Sequence, residues 1–203
     1  MKLYGAPMPA PNPRRVRMFL AELGVDVPET PVDLRKREHK SPEYREKNSL
    51  GQIPTLELDD GSTLSESVAI CRYFQALHPE PALFGGTAFE TAQVDMWIRR
   101  VEFIVMTPVG NFWRHAHPFT APLLTQFKDF GESNREAYAG AQRWLDRELA
   151  AGSFIAGETF SMADICAQST VDFATWIGLP IAPEHTRLTD WHARVSARPS
   201  ALA

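Results

Sequence analysis

Cysteine is scarce in this chain, basic charge is not in excess, and no apolar run is long. The two cysteines, Cys71 and Cys166, lie far apart and lack Cys-x-x-Cys spacing. That weighs against a disulfide framework or a dithiol centre, and two buried, reduced thiols on apolar helix faces are expected. No metal site is expected. The formal net charge is −4 and the pI about 5.9. Without a broad basic surface, nucleic acid is not expected as a partner. No apolar stretch is long enough to span a membrane, and Met1-Lys2-Leu3-Tyr4-Gly5 lacks the charged-then-apolar pattern of a leader. A cytoplasmic location is the default expectation. One further absence is local: no serine or cysteine lies between Tyr4 and Val16.

What is present suits a globular protein with a substantial core: 203 residues, 44% of them hydrophobic, enough for one large or two small domains. Leu3-Tyr4 begins a short strand, and a proline-rich loop runs from Ala6 to Pro11. Asn12 is placed as an N-cap with Pro13 at the first helical position. Val16, Phe19, Leu20 and Leu23 then share a helical face, and Gly24 ends the helix. Thr30 to Leu34 reads as a second strand and Arg35–Lys40 as a charged loop. Pro42–Lys47 suits one or two helical turns. Thr55–Leu58 and Ser62–Leu64 flank Asp60-Gly61, a hairpin signal. Glu66–Leu77 is helical. The order β-α-β then β-β-α resembles a thioredoxin-like domain over residues 1–78.

His78-Pro79-Glu80-Pro81 opens a linker, 79–88, and the pattern then changes. Phe89–Arg114, Asn134–Ala150, Ser161–Ile177 and Thr186–Ala197 all read as helices, so 89–203 is expected to be an all-helical second domain. Ser161-Met162-Ala163-Asp164 is a capping-box variant with Asp in place of Glu, and Phe160 and Ile165 are spaced as its hydrophobic staple. Ser161 and Asp164 are read as structural.

The most informative motif is Gln52-Ile53-Pro54, followed by Ser65-Glu66-Ser67. Proline before an apolar strand has no N–H to give a sheet. A cis bond at Pro54 would turn the chain and expose the backbone of Ile53. Ser65 is placed as the cap of the next helix, and Ser67 in its first turn suits an anion. Together these groups could grip a short peptide: Ile53 by strand-like pairing, Ser67 at its carboxylate, Glu66 at its amine.

This ordered set, with a helical second half and a Ser-x-x-Asp box, resembles the cytosolic glutathione transferases of bacteria over essentially the whole chain. The resemblance implies glutathione as co-substrate, a homodimer, and transfer of the glutathione sulfur to a small hydrophobic electrophile. Carried over by position, Ile53 pairs with the cysteinyl part, and Glu66 and Ser67 hold the γ-glutamyl end. Gln52 adds a side-chain hydrogen bond. Glu38-His39-Lys40-Ser41-Pro42 resembles the loop that reaches the glycine carboxylate in theta-like and plant classes, which makes His39 and Lys40 candidates; a solvated charge run is the alternative. The first long helix of the second half implies Met106, Phe112, Trp113 and His115 as candidates for the electrophile site, against core or dimer packing.

The chemistry needs a thiolate near neutral pH, whereas a free thiol has a pKa of about 8.5. The family usually supplies Tyr, Ser or Cys near the first strand or helix. Here the usual serine position falls on Ala10 and the usual tyrosine position near Ala6. Asn12 is the remaining donor. The positive end of its helix favours an anion by roughly 0.3–1 kcal/mol, so hydrogen bonds must supply the rest. Pro9-Ala10-Pro11-Asn12 is similar to the Thr-Pro-Asn segment of Nu-class enzymes, with Ala10 replacing the threonine. Those enzymes reduce disulfides, so disulfide or peroxide reduction is a second expectation, and a non-catalytic glutathione-binding module a third.

Overall fold

The structure is a computed structural model that describes residues 1–7 and 9–203. It divides into two compact units, Met1–Leu83 with Pro199–Ala203, and Phe84–Arg198. Position 8, within the proline-rich loop expected from the sequence, lies outside the described residues.

The first unit is built on a four-stranded sheet in the order β2-β1-β3-β4. Strands β1 (Lys2–Gly5) and β2 (Glu29–Pro31) are parallel, joined through helix α1 (Pro11–Leu23). Strand β3 (Thr55–Glu57) runs antiparallel to β1, and β4 (Thr63–Ser65) antiparallel to β3. The parallel pair needs a crossover, whereas the β3–β4 pair closes through a tight turn. In that turn Gly61 has φ +84° and Asp60 Oδ1 accepts from the Ser62 N–H. Helices α2 (Pro42–Lys47) and α3 (Ser67–Leu77) complete the unit. Its core is Leu3, Val16, Phe19, Leu56, Ile70 and Phe74, all 1% exposed or less.

Several elements depart from the sequence expectation. The second strand is short and starts at Glu29, not Thr30. Glu38–Lys40 forms a 3-10 turn within the expected charged loop. Helix α1 begins at Pro11 with Ala10 in the cap position, so Asn12 is not its N-cap. The reason is that Pro11 already has the fixed φ and missing N–H of a first helical residue. Ser65 is not a cap either: its backbone pairs with Thr55 in the β3–β4 ladder, and Glu66 takes the cap position. The last five residues, expected with the helical half, pack on α1, where Arg14 Nη2 donates to the Ala201 carbonyl at 2.9 Å and Ser200 Oγ bonds to Glu22.

The second unit contains α4 (Ala88–Arg100), α5 (Thr107–His115), α6 (Lys128–Glu148), α7 (Met162–Trp176) and α8 (Thr186–Ser196). The expected continuous helix 89–114 is interrupted by a π turn, Val101–Met106, where the Thr107 N–H reaches back to the Glu102 carbonyl. Pro108 explains it: proline has no N–H for the Ile104 carbonyl and clashes with it, so the helix widens one turn before. Helix α7 is buried on nearly every side and its start is held by Asp164. That carboxylate accepts from the Ser161 N–H and hydroxyl, the Ile155 N–H and the Trp191 indole N–H, at 3.0, 3.2, 2.9 and 2.8 Å. Thr87 and Glu90 form a second capping box at α4; the Thr-x-x-Glu spacing was there to be read. Both cysteines are buried and neither forms a disulfide with a described residue, Cys71 on α3 and Cys166 on α7.

Candidate functional site

Register places the site. Tyr4 lies opposite Thr55, and Thr55 opposite Ser65. Because β3 runs antiparallel to both neighbours, its N-terminal end meets the C-terminal ends of β1 and β4. Ile53, the β1–α1 loop and Glu66-Ser67 therefore emerge together at one end of the sheet.

At this end the Ile53–Pro54 bond is cis. Among the described residues, neither the N–H nor the carbonyl of Ile53 has a hydrogen-bond partner. The preceding carbonyl, that of Gln52, is by contrast crowded with donors: Tyr44 Oη at 3.0 Å and Asn48 Nδ2 at 2.9 Å. Thr55 completes the network by bonding Tyr44 Oη at 2.9 Å and accepting from Asn48 Nδ2 at 3.3 Å. Tyr44, Asn48 and Thr55 are 7%, 6% and 0% exposed, and burial pushes the Tyr44 phenol pKa up. None of the three was singled out in the sequence, because a Tyr on a short helix and an Asn just past its end carry no signal until the loop they face is known. The Gln52 side chain is exposed.

Glu66 has φ +70° and ψ +116°, a conformation that non-glycine residues rarely adopt. The turn leaves its carboxylate exposed at the head of α3. Ser67 follows as the first helical residue, 5% exposed, and no described residue bonds its hydroxyl. The first α3 N–H groups lack intrahelical acceptors, so the helix start offers donors and a positive dipole end to an anion.

The start of α1 is poorer in donors. Pro11 and Pro13 have no N–H, and the Arg14 N–H is already bonded to the Ala10 carbonyl. Asn12 supplies the one remaining backbone N–H of the first turn. Its side-chain amide is bonded to no described residue, since capping does not claim it. Tyr4 is committed elsewhere: its hydroxyl donates to Glu57 at 2.7 Å, and that bond holds its pKa up. Lys47 ties the same carboxylate at 2.8 Å. Arg14 and Arg15 are both buried.

His39 and Lys40 are separated by the structure. His39 is half-buried, its Nδ1 has no hydrogen-bond partner, and burial, with the charges of Lys40 and Arg37, pushes its pKa down. Lys40 turns its ammonium onto the carbonyls of Leu50 and Gly51, at 3.0 and 2.6 Å.

The four candidates in the helical unit also part company. Phe112 is buried under the Arg135 guanidinium and belongs to the core. Met106 sulfur accepts from Thr170 at 3.6 Å. His115 faces Phe127 and Phe130. Trp113 sits in a ring cluster with His117, Phe119, Phe173 and Trp176 at centroid distances of 4.6, 5.2, 5.3 and 5.5 Å. Those four partners were not foreseen, because they come from two separate segments, residues 117–119 and helix α7.

Comparison with known proteins agrees with this geometry. The family model described as glutathione S-transferase, N-terminal domain, matches residues 10–77, and glutathione S-transferase, C-terminal domain, matches 117–199. The chain is 36% identical to glutathione S-transferase 2 of Saccharomyces cerevisiae, over 98% of this chain and 87% of that one. It superposes on the crystal structure of Gtt2 from the same yeast with a TM-score of 0.95, at 35% identity, covering 100% of this chain and 99% of the other. A class Gtt2 enzyme of Vibrio parahaemolyticus follows at 0.86 and 33% identity, covering 98% and 94%. The chain therefore belongs to the glutathione S-transferase family.

Proposed function

We propose that this protein conjugates the thiolate of glutathione to small hydrophobic electrophiles. The observation that carries the reading is the convergence, at one end of the sheet, of an unpaired Ile53 backbone, the Glu66 carboxylate and the Ser67 helix start. Ile53 pairs with the cysteinyl unit, Glu66 meets the γ-glutamyl amine, and Ser67 with the α3 N–H groups meets its carboxylate. Gln52 and His39 flank the peptide. The Asn12 amide and N–H stabilise the thiolate, helped by the α1 dipole. The open rings of the Trp113 cluster offer the electrophile an apolar surface, with Met106 and His115 as further candidates.

The protein acts in the cytoplasm as a detoxifying enzyme in this reading, and as a homodimer. Phe89, Met96 and Phe103 are 76%, 40% and 62% exposed at seven-residue intervals, an apolar stripe that a second copy would cover. Retention on immobilised glutathione, with turnover of an aryl halide, tests the main reading; a folded protein that neither binds nor turns over refutes it. The absence of serine and cysteine between Tyr4 and Asn12, with the Tyr4 hydroxyl bonded to Glu57, favours disulfide or peroxide reduction as the second reading. A faster turnover of a model disulfide than of the aryl halide would select it.

A further inference from the structure

Met106, Gly110, Trp113 and His117 follow at intervals of four, three and four residues, the spacing of one helical face. That face is open at Gly110, where a Cβ would meet nothing within 4 Å. Trp113 is the centre of the ring cluster beyond it. The outer ring is Trp176, 50% exposed, 5.5 Å from Trp113 and inclined by 25° to the plane of His117. His117 is the polar member of the cluster. Its Nδ1 accepts from the Phe119 N–H at 3.2 Å, which requires a lone pair on that nitrogen. The imidazole is therefore neutral with its proton on Nε2. Burial pushes its pKa down, which keeps it neutral. No described residue bonds Nε2.

One N–H donor is thus set among rings on which a flat aromatic molecule can stack. A purely apolar electrophile has no use for it; an oxygen acceptor does. An aryl halide reacts with a thiolate only when a nitro or carbonyl group is conjugated with the carbon that bears the halide. The sulfur adds to that carbon, an electron pair of the ring moves onto the nitro or carbonyl oxygen, and it returns as the halide leaves with its own pair. The oxygen carries more negative charge in the transition state than in the substrate, so a donor there lowers the barrier more than it aids binding. We propose that His117 is a specificity-determining residue whose Nε2–H donates to the charge-bearing oxygen of an activated aryl electrophile stacked on Trp176, a role that rests on the conjugation reading.

Steady-state conjugation of chlorodinitrobenzene, benzyl bromide and allyl bromide tests it, since only the first carries the acceptor and only the first two carry a ring. His117→Phe keeps a ring and removes the donor. It should lower kcat with chlorodinitrobenzene about tenfold, the lower end for a hydrogen bond to a charged group. Turnover of both bromides and the KM for glutathione should stay at wild-type values. His117→Gln, which brings back an N–H, should recover most of the loss, and His117→Ala carries the same expectation as His117→Phe should the phenyl ring not fit. Trp176→Ala should lower kcat/KM about two- to tenfold for both aromatic substrates and leave allyl bromide unchanged. An equal loss with all three substrates in His117→Phe would make the residue structural and overturn the proposal. So would unchanged turnover of chlorodinitrobenzene in that variant, or a Trp176→Ala loss shared by allyl bromide. Those outcomes leave the conjugation reading standing; wild-type protein that conjugates none of the three would overturn that reading as well.

Discussion

Asn12 holds the chemical question of this protein in one side chain. With prolines on both sides, it brings a backbone N–H and an amide, neither bonded to a described residue, to the head of α1. Replacing it with alanine removes the amide and leaves one N–H and the dipole. The pKa of the bound thiol should rise in Asn12→Ala by about one unit, the worth of one hydrogen bond to a charged group at its lower end. Thiolate absorbance against pH reads this, and an unchanged pKa removes Asn12 from the mechanism. The conclusion that Asn12 caps its helix, natural from the sequence, fails because Pro11 claims the first helical position. His39 yields a pH prediction. Burial lowers its pKa below 6.5, so the unfolded chain takes up the proton first as pH falls. Its contribution to stability is present above pH 6.5 and is lost below it. Urea unfolding at pH 7.5 and 5.5 should show a smaller acid loss for His39→Gln than for the wild type.

Asp164 and the elements it joins show how one carboxylate organises a helix start. Burial raises its pKa, against the four hydrogen bonds that favour the charged form. A raised carboxyl pKa means that this group's contribution declines as pH climbs through the folded value. Asp164→Ala strands the buried N–H groups of Ile155, Ser161 and Trp191 and should cost about 3–5 kcal/mol. Asp164→Asn keeps the shape but turns a donor toward Ser161 and should cost about 1–3 kcal/mol. Denaturant unfolding measures both, and equal losses would show that packing, not acceptor count, matters there. The Ser161–Asp164 box was legible because capping acts within four residues. The π turn was not, because a Pro108 that interrupts a helix and a Pro that ends one look alike in one dimension.

Across the molecule, the apolar stripe of Phe89, Met96 and Phe103 is a feature that a lone chain leaves unexplained. Trp97, on the same stretch of helix, is 8% exposed and Phe103 62%. Phe103→Glu should convert a dimer into a species that sediments at the 22.8 kDa of one chain with its circular dichroism retained; sedimentation of the wild type at that mass would refute the dimer. The element order, the two-part architecture and the Ile53, Glu66 and Ser67 candidates were readable along the chain, since periodicity, caps and short motifs act over a few neighbours. The register that gathers positions 53, 66 and 67 at one sheet end lay beyond that reading. So did the capture of the Gln52 carbonyl by Tyr44 and Asn48, and the reach of Lys40 to the carbonyls of Leu50 and Gly51. Each depends on which donor meets which acceptor after the chain has folded back on itself, and that pairing is set by backbone geometry in three dimensions rather than by residue type.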